Sequence, residues 1–252
     1  MIDKITNEIF FGDCIDLLKK IPDNTINMIL CDLPYGTTQC KWDSVLPMEE
    51  LWTEYNRVCK ERAAMVFTSA QPFTSSLVMS NPKYFKYTWV WEKSKATGYL
   101  NAKKMPMRAH EDICVFYRKP PTYNPQMVQG TPYDKGKAHR PTKVYGKQKG
   151  KIHVKSESGL RYPRTVQYFK TAESEGKVFH STQKPLALFE YLIKTYTNEG
   201  ELILDNCIGS GTTALACINT NRNYIGMEIE FEFYNIAKKR IKQTLVNLES
   251  KK

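Results

Sequence analysis

The sequence predicts an α/β fold, with one main domain and a basic segment inserted between its two halves. Apolar runs of strand length alternate with helical segments at both ends of the chain, and residues 26–31 form the clearest buried strand among them. Towards the other end, residues 202–220 read strand, glycine loop, helix. At 252 residues the chain is long enough for such a domain with one added module.

Strands and helices alternate through residues 1–118. Asp13 is placed to cap the first helix, and Pro22 is placed to stop it. The predicted strands are 8–11, 26–31 and 63–68, the predicted helices are 14–20 and 47–59, and two late strands at 84–92 and 112–117 are expected to pair.

Residues 181–252 are again regular. Proline suits the first position of a helix, where its missing N–H costs no hydrogen bond, so we expect Pro185 to begin one. The predicted order is helix 186–197, strand 201–204, loop 205–213, helix 213–220, strand 223–228 and a long basic helix 230–248.

The middle segment, 119–180, has a different composition. Proline, glycine, lysine and tyrosine interrupt it repeatedly, and it carries 13 Lys and Arg against 4 Asp and Glu. The whole chain has a net charge of +11, so most of the excess lies here. A solvated or disordered linker is one interpretation. The interleaved tyrosines favour the other, a loop-rich module that contacts nucleic acid.

Composition also bounds the location and excludes some chemistries. No apolar stretch reaches the roughly 18–20 residues that span a membrane, and the N-terminus lacks the layout of a signal peptide, so we expect a cytoplasmic protein with no membrane contact. The seven cysteines are scattered without a Cys-x-x-Cys pair, and the histidines do not cluster with them. We therefore expect reduced thiols and no metal site.

The segment Asp32-Leu33-Pro34-Tyr35 follows the buried strand 26–31 directly. A carboxylate there can accept an N–H hydrogen bond, the proline stiffens the turn, and the tyrosine offers a flat face for stacking. Together these side chains suit a planar ring that carries an exocyclic amine.

A second group of residues runs from Asp205 to Thr213. Its glycines allow close approach to a ligand, and the helix that follows presents free N–H groups. The next strand ends at Glu228, where an acid can accept the two hydroxyls of a ribose. Taken alone, a Gly-x-Gly pair is as often a simple tight turn as a ligand-binding loop. A phosphate loop is excluded because no Gly-Lys-Ser/Thr ending is present.

Together these motifs resemble those of the S-adenosylmethionine-dependent DNA amino-methyltransferases. Residues 32–35 resemble the catalytic Asp-Pro-Pro-Tyr, residues 205–213 the cofactor loop Asp-Pro-Phe-x-Gly-Ser-Gly-Thr-Thr, and residues 182–185 the preceding Thr-Gln-Lys-Pro. The catalytic motif comes first, as in the permuted β group. The resemblance implies a Rossmann-like methyltransferase fold: a mostly parallel central sheet, helices on both faces, an antiparallel late strand and a circularly permuted motif order.

The resemblance also implies three parts: a catalytic half at 1–118, a target-recognition insertion at 119–180 and a cofactor-binding half at 181–252. In the catalytic part, Asp32 and the Leu33 carbonyl would hold the amine of a flipped base, Pro34 would stiffen the turn, and Tyr35 would stack on the base. Trp89, Trp91, Glu92 and Lys93 lie where the family has aromatic residues near that base, but tryptophans in a strand are more often core.

By the same resemblance, S-adenosylmethionine would be bound by Asp13, Lys184, Asp205, Gly209, Ser210, Gly211, Thr212, Thr213 and Glu228. Asp13 would contact the adenine of the cofactor and Glu228 its ribose, while the loop would line the methionine part. Simpler structural roles compete with these: a helix cap for Asp13, a turn former for Asp205, a solvated acid for Glu228 and a surface lysine for Lys184.

The implied reaction is methylation of the N6 amine of adenine in double-stranded DNA, because aspartate stands at position 32 where serine would favour cytosine N4. Methylation of cytosine N4 or of RNA is one alternative. The other is an inactive nucleic-acid-binding subunit, which Leu33, Asn206 and Cys207 support because they depart from the family motifs. The residues leave open the target sequence, a homodimer and a cognate restriction enzyme.

Overall fold

A computed structural model describes residues 5–37, 40, 43–137, 153–179 and 182–250. The chain divides into two compact units. The main unit combines Met1–Asn124 with Thr165–Lys252, and the second unit is Pro125–Arg164. No helix in the described part of the chain is both long and apolar enough to cross a membrane.

The main unit is built on one eight-stranded sheet with helices on both faces. Its strands are β1 (Glu8–Phe11), β2 (Ile26–Cys31), β3 (Cys59–Ser69), β4 (Phe85–Thr97), β5 (Arg108–Phe116), β10 (Val166–Phe169), β11 (Leu202–Asp205) and β12 (Asn223–Glu228). Its helices are α1 (Cys14–Leu18), α2 (Met48–Val58), α3 (Phe73–Ser80), α4 (Leu186–Tyr196), α5 (Thr212–Asn219) and α6 (Phe231–Glu249). The remaining strands, β6 to β9, belong to the second unit.

The strand order in the sheet is β1-β12-β11-β2-β3-β5-β4-β10. Every neighbouring pair is parallel except those of β5, which runs antiparallel to both β3 and β4. The predicted mostly parallel sheet with an antiparallel late strand is therefore confirmed. The first strand of the chain lies at one edge, next to the last.

Two apolar clusters fill the two faces of the sheet, and the alternation of side chains along each strand feeds both of them. In β2, Ile29 and Cys31 join the cluster under α1, α2 and α3. Met28 and Leu30 join the cluster under α4, α5 and α6. This two-sided burial explains why β2 is a continuous apolar run rather than an alternating one.

Local sequence signals account for most of the elements. The carboxylate of Asp13 caps α1 through hydrogen bonds from the backbone N–H groups of Ile15 (2.8 Å) and Asp16 (3.2 Å). Helix α2 buries its apolar residues Leu51, Trp52, Tyr55 and Val58. Pro185 stands at the N-cap of α4, one position earlier than expected for a first helical residue.

In the main unit, one α-helix and one strand were not predicted from the sequence. Helix α3 is short, and its apolar residues do not mark a clear face. Strand β10 lies in the basic segment, and its exposed positions made it resemble a loop. Because β10 pairs with β4 and the backbone of Asn124 binds Thr195 of α4 (2.7 Å), the compact inserted unit is 125–164, narrower than the expected 119–180.

The second unit contains two small antiparallel sheets. One joins β6 (Val128–Gln129) to β9 (Leu160–Arg161), and the other joins β7 (Tyr133–Lys137) to β8 (His153–Ser156). Gly159 has a φ of +77°, and an added Cβ would lie 2.0 Å from the Gly130 carbonyl oxygen, so only glycine fits there. The described residues of this unit are thus not merely a linker. Residues 138–152, which carry much of the predicted basic charge, lie outside the described residues.

Candidate active site

A cavity of about 730 Å³ opens where five neighbouring parallel strands end. The residues that follow or close β1, β2, β3, β11 and β12 all line it, and ligand sites in open α/β sheets lie at this edge. They are Asp13, Asp32, Ala70, Asp205 and Glu228. Both predicted groups of residues therefore meet in one cavity.

Asp32 is held by three side chains from different parts of the chain. Its Oδ1 accepts hydrogen bonds from the Tyr35 hydroxyl (2.8 Å) and from the hydroxyl of Thr68 at the end of β3. Its Oδ2 accepts a hydrogen bond from Nζ of Lys184 (2.6 Å). A carboxylate offers about four acceptor positions, so one on Oδ2 is left for a ligand.

The ring of Tyr35 is fixed by stacking on Phe73 of α3, with ring centres 5.1 Å apart and planes inclined by 19°. Burial, reinforced by the negative charges of Asp32 and Glu111, raises the pKa of Tyr35 well above its usual value. The hydroxyl therefore stays protonated across the neutral range and donates a hydrogen bond to Asp32.

Lys184 lies beside Asp32 in the cavity rather than on the surface, although its motif led us to group it with the cofactor-binding residues. Its side chain is only 8% exposed, and its Nζ lies 3.5 Å from Oε2 of Glu111 as well as beside Asp32. Burial alone would lower the pKa of Lys184, but the charges of Asp32 and Glu111 outweigh burial and raise it. The side chain is therefore a fixed ammonium ion.

The charges continue beyond Lys184. Oε1 of Glu111, on β5, lies 3.2 Å from Nζ of Lys93, on β4, and Lys93 also donates to Thr97 (3.3 Å). Two carboxylates and two ammonium ions thus alternate across the wall of the cavity. Thr68, Glu111 and Phe73 were not predicted to belong to the site, and Lys93 was expected near the flipped base without a role of its own.

Leu33 is almost fully buried among the apolar residues under α1 to α3, and it also lines the cavity together with Pro34. No described residue donates a hydrogen bond to its carbonyl oxygen. Since the leucine side chain is in the core, the difference from the family's proline changes the packing more than the polar groups of the cavity.

The loop after β11 is braced from within. Asp205 is 2% exposed, its Oδ1 accepts the Cys207 N–H (3.1 Å), and its Oδ2 accepts the hydroxyl of Thr213. Burial raises the pKa of Asp205 to about 7, although these hydrogen bonds oppose the rise. Asp205 therefore stabilises the turn through these two hydrogen bonds, and it also lines the cavity.

Gly209 and Gly211 both adopt positive φ, +54° and +89°, where side chains are disfavoured. Gly209 lines the cavity, as do Ser210, Thr212 and Thr213, whereas Gly211 packs against α6, where an added Cβ would lie 3.1 Å from that of Ala237. Ser210 donates to Gln183 (3.2 Å) and accepts from Arg240 (2.8 Å). Gly211 thus lets the loop pack closely against α6, on the side away from the cavity.

Glu228 is buried rather than solvated, and burial raises its pKa above the usual value. Its Oε2 accepts the Gly209 N–H (2.8 Å), and its Oε1 accepts the Glu230 N–H (2.9 Å). Each oxygen keeps a second lone pair for a ligand in the cavity. Asp13 caps α1 through Oδ1 alone, and no described residue bonds its Oδ2.

Asn206 and Cys207 occupy the positions where the family motif has proline and phenylalanine. The amide oxygen of Asn206 accepts a hydrogen bond from the buried hydroxyl of Tyr55 (2.5 Å), which ties the loop to α2. Cys207 lines the cavity beside Cys14. The substitutions are therefore accommodated by contacts specific to this chain, and they leave the loop in place.

Comparison with known proteins identifies the family. Residues 26–239 match the model of a family described as DNA methylase. The type II methyltransferase M1.MboII of Moraxella bovis is 27% identical over 262 residues, covering 96% of this chain and 98% of the relative.

Two solved structures share the fold. The M1.HpyAVI–SAM complex has a TM-score of 0.64 and 24% identity over 93% of this chain and 98% of that chain. The cytosine-N4-specific PvuII DNA methyltransferase has a TM-score of 0.65 and 14% identity over 94% and 90%. Because the sequence identities are below 25%, the two structures are evidence for the fold alone. They confirm the predicted Rossmann-like methyltransferase fold.

Proposed function

The chain belongs to the DNA methylase family, and we propose that it transfers a methyl group from S-adenosylmethionine to the N6 amine of adenine in double-stranded DNA. The observation that carries the proposal is the meeting of Asp32 with the glycine loop 205–213 and Glu228 in a single cavity. Surveyed ligand pockets run from about 300 to 1,000 Å³, and this one, at about 730 Å³, is in the upper part of that range.

The residues present fit the cofactor. Glu228 offers one free lone pair on each oxygen, which suits the two ribose hydroxyls. Asp13 offers its unbonded Oδ2 to the adenine amine. Gly209 opens the loop beside the methionine part. The Thr212 hydroxyl can donate to the polar end of that part, while Ser210 and Thr213, which donate to Gln183 and Asp205, can accept from its amine. When bound, S-adenosylmethionine supplies an electrophilic methyl group.

The chain's own residues orient the base amine. The free acceptor position on Oδ2 of Asp32 takes one amine hydrogen, and the Leu33 carbonyl takes the other. These two hydrogen bonds favour a tetrahedral nitrogen with a localised lone pair. Tyr35, clamped by Phe73, stacks on the flipped base. Orientation and fixed charges supply most of the rate gain, because the polar groups are already in place before the reaction.

Lys184 keeps Asp32 in a single orientation and balances its charge. A carboxylate so paired serves better as an acceptor of hydrogen bonds than as a base. Proton release to solvent after methyl transfer is therefore part of the proposal, with Asp32 acting through geometry.

The basic unit 125–164 is proposed to contact the DNA around the target, through phosphate contacts first. Among its described residues, Lys135 and Arg161 are exposed and lie over the ring of Tyr133. Replacing Lys135, Arg161 and Arg164 together with alanine should weaken DNA binding and flatten its salt dependence. Unchanged affinity at low salt would contradict this role.

The decisive experiment is nucleoside analysis of DNA from a host that lacks N6-methyladenine and expresses the chain. We expect N6-methyladenine with wild type and none with Asp32→Ala. N4-methylcytosine instead would support the alternative base, which aspartate at position 32 disfavours by analogy with the family. Methylated RNA alone, or no methylated nucleoside at all, would contradict the proposal. Sequencing that detects methylated bases would then give the target site.

A further inference from the structure

The hairpin formed by β4 and β5 extends past the neighbouring strands and ends in an exposed apolar tip, residues Tyr99, Leu100, Met105 and Met107. Leu100 is 97% exposed and Tyr99 is 79% exposed. Single exposed apolar side chains are ordinary, but four of them within nine residues form a patch that marks a contact surface.

The tip has a defined backbone. Thr97 pairs with Arg108 at the base of the hairpin, and Tyr99–Asn101 form a short 3₁₀ helix after Gly98, whose φ is +92°. The backbone carbonyl of Asn101 accepts hydrogen bonds from Lys104 (2.8 Å) and Met105 (3.0 Å). The apolar tip is therefore presented by ordered turns.

The charge of the hairpin is of one sign. Between Glu92 and Glu111 there is no acidic residue, and five lysines and arginines lie in this stretch. They are Lys93, Lys95, Lys103, Lys104 and Arg108. Lys93 is buried in the charge network, so the other four supply the positive surface around the tip. An apolar tip ringed by positive charge is complementary to a polyanion with an apolar interior, and stacked DNA is such a partner.

The hairpin also forms part of the cavity. Thr97, Gly98, Tyr99 and Arg108 line the same cavity as Asp32 and Tyr35. The tip therefore borders the cavity that a flipped base would enter.

We propose that the apolar tip inserts into duplex DNA at the target base pair, where Leu100 and Tyr99 occupy the space that the flipped base leaves. The proposal rests on the proposed function. Flipping a base costs a few kcal/mol of stacking and pairing, and inserted apolar side chains offset part of that cost by restoring contacts with the neighbouring bases. The tip thus acts on the duplex, and the chemistry at Asp32 does not depend on it.

The first test compares Leu100→Ala with Met79→Ala. Met79 is 72% exposed on α3 and does not line the cavity, so it is a matched apolar control. We expect Leu100→Ala to lower the initial rate of methyl incorporation into duplex DNA by about tenfold, and to lower the rate on heat-denatured DNA of the same sequence by less than about twofold. Met79→Ala should change neither rate. Equal losses on duplex and denatured DNA, or no loss on either, would overturn the insertion.

The second test does not need catalysis. A photo-crosslinking residue, p-benzoylphenylalanine, is placed at position 100 or at position 79, and the protein is irradiated with duplex DNA. Crosslinking to DNA from position 100 and not from 79 supports the proposal. Crosslinking at 100 to a second copy of the chain instead of DNA, or no crosslink, overturns it. If wild type transfers no methyl group to any DNA, the proposed function fails, and this crosslink still decides whether the tip enters the duplex.

Discussion

Nζ of Lys184 lies 2.6 Å from Oδ2 of Asp32, although 152 residues separate them along the chain. The contact joins two motifs that lie on opposite sides of the inserted segment in the sequence, 32–35 before it and 182–185 after it. It also completes an alternating row of charges with Glu111 and Lys93, in which the lysines are buried and the carboxylates are partly buried. A buried charge that loses its partner is strongly destabilising, so each member of this row constrains the others.

Replacing Lys184 with methionine should damage both stability and activity. Among the described residues, the change leaves Asp32 without a counter-charge and Glu111 with Lys93 as its one remaining partner, which should cost about 3 kcal/mol of the free energy of unfolding. Misorientation of Asp32 should lower kcat by about 100-fold. Denaturant unfolding and methyl incorporation measure the two effects.

Two further lysine variants make that result specific. Lys184→Arg keeps the charge with a different shape, so it should retain more stability than Lys184→Met. Lys194→Met removes a surface lysine whose Nζ is 3.9 Å from Glu190, and should change stability by less than about 0.5 kcal/mol. A Lys184→Met protein as stable and active as wild type would show that the buried row is dispensable.

Tyr35→Phe separates the hydroxyl of Tyr35 from its ring. The variant loses the hydrogen bond to Asp32 but keeps the stacking on Phe73, so we expect a loss of about 1 kcal/mol in stability and about a tenfold lower kcat. Tyr35→Ala, which also loses the stacked ring, should be much less active. If Tyr35→Phe and Tyr35→Ala were equally impaired, the ring would have no separate role in holding the base.

Gly209→Ala should weaken cofactor binding through the backbone. Its φ of +54° should cost an alanine about 1 kcal/mol, and any relief of that strain turns the N–H away from Glu228. Gly200→Ala is the matched control, because Gly200 also has a positive φ (+78°), an added Cβ meets nothing within 4 Å at either position, and Gly200 does not line the cavity.

Calorimetric titration with S-adenosylmethionine distinguishes the two glycine variants. Both should lose similar stability, and only Gly209→Ala should bind the cofactor about tenfold more weakly. Equal affinities in the two variants would contradict a role for the loop in cofactor binding.

The parts of the site that the sequence predicts are those held by local geometry. Asp13 caps the helix that begins beside it, Asp32 follows the strand that positions it, and the loop 205–213 carries its own braces. Thr68 and Glu111 could not be predicted in the same way, because their contacts depend on which strands become neighbours and on the face that each side chain takes. Lys184 lies in a recognisable motif, but the motif does not indicate which way its side chain points.

The same limit explains the errors in the fold. Strand β10 has four residues, two of them exposed, and only its pairing with the long β4 makes it a strand. Residues 166–169 form a strand because the long β4, which extends to Thr97, exposes backbone groups that can pair with them. Their own sequence does not indicate a strand. A short edge strand in a basic segment therefore cannot be distinguished from a loop by composition.

Asp205 should make the stability of the protein depend on pH in a way that Asp205→Asn removes. Burial raises its pKa in the folded protein to about 7, from an ordinary value of 3.8. Between these values the folded state holds a proton that the unfolded state has released, so the contribution of Asp205 to the free energy of unfolding falls as pH rises from about 4 to about 7.

Asparagine at position 205 can still accept a hydrogen bond from the Thr213 hydroxyl, but it does not titrate. The difference in stability between Asp205→Asn and wild type should therefore shift in favour of the variant as pH rises through this window, measured by urea unfolding at pH 4.5, 5.5, 6.5 and 7.5. A constant difference across the four pH values would show that Asp205 ionises alike in the folded and unfolded chain.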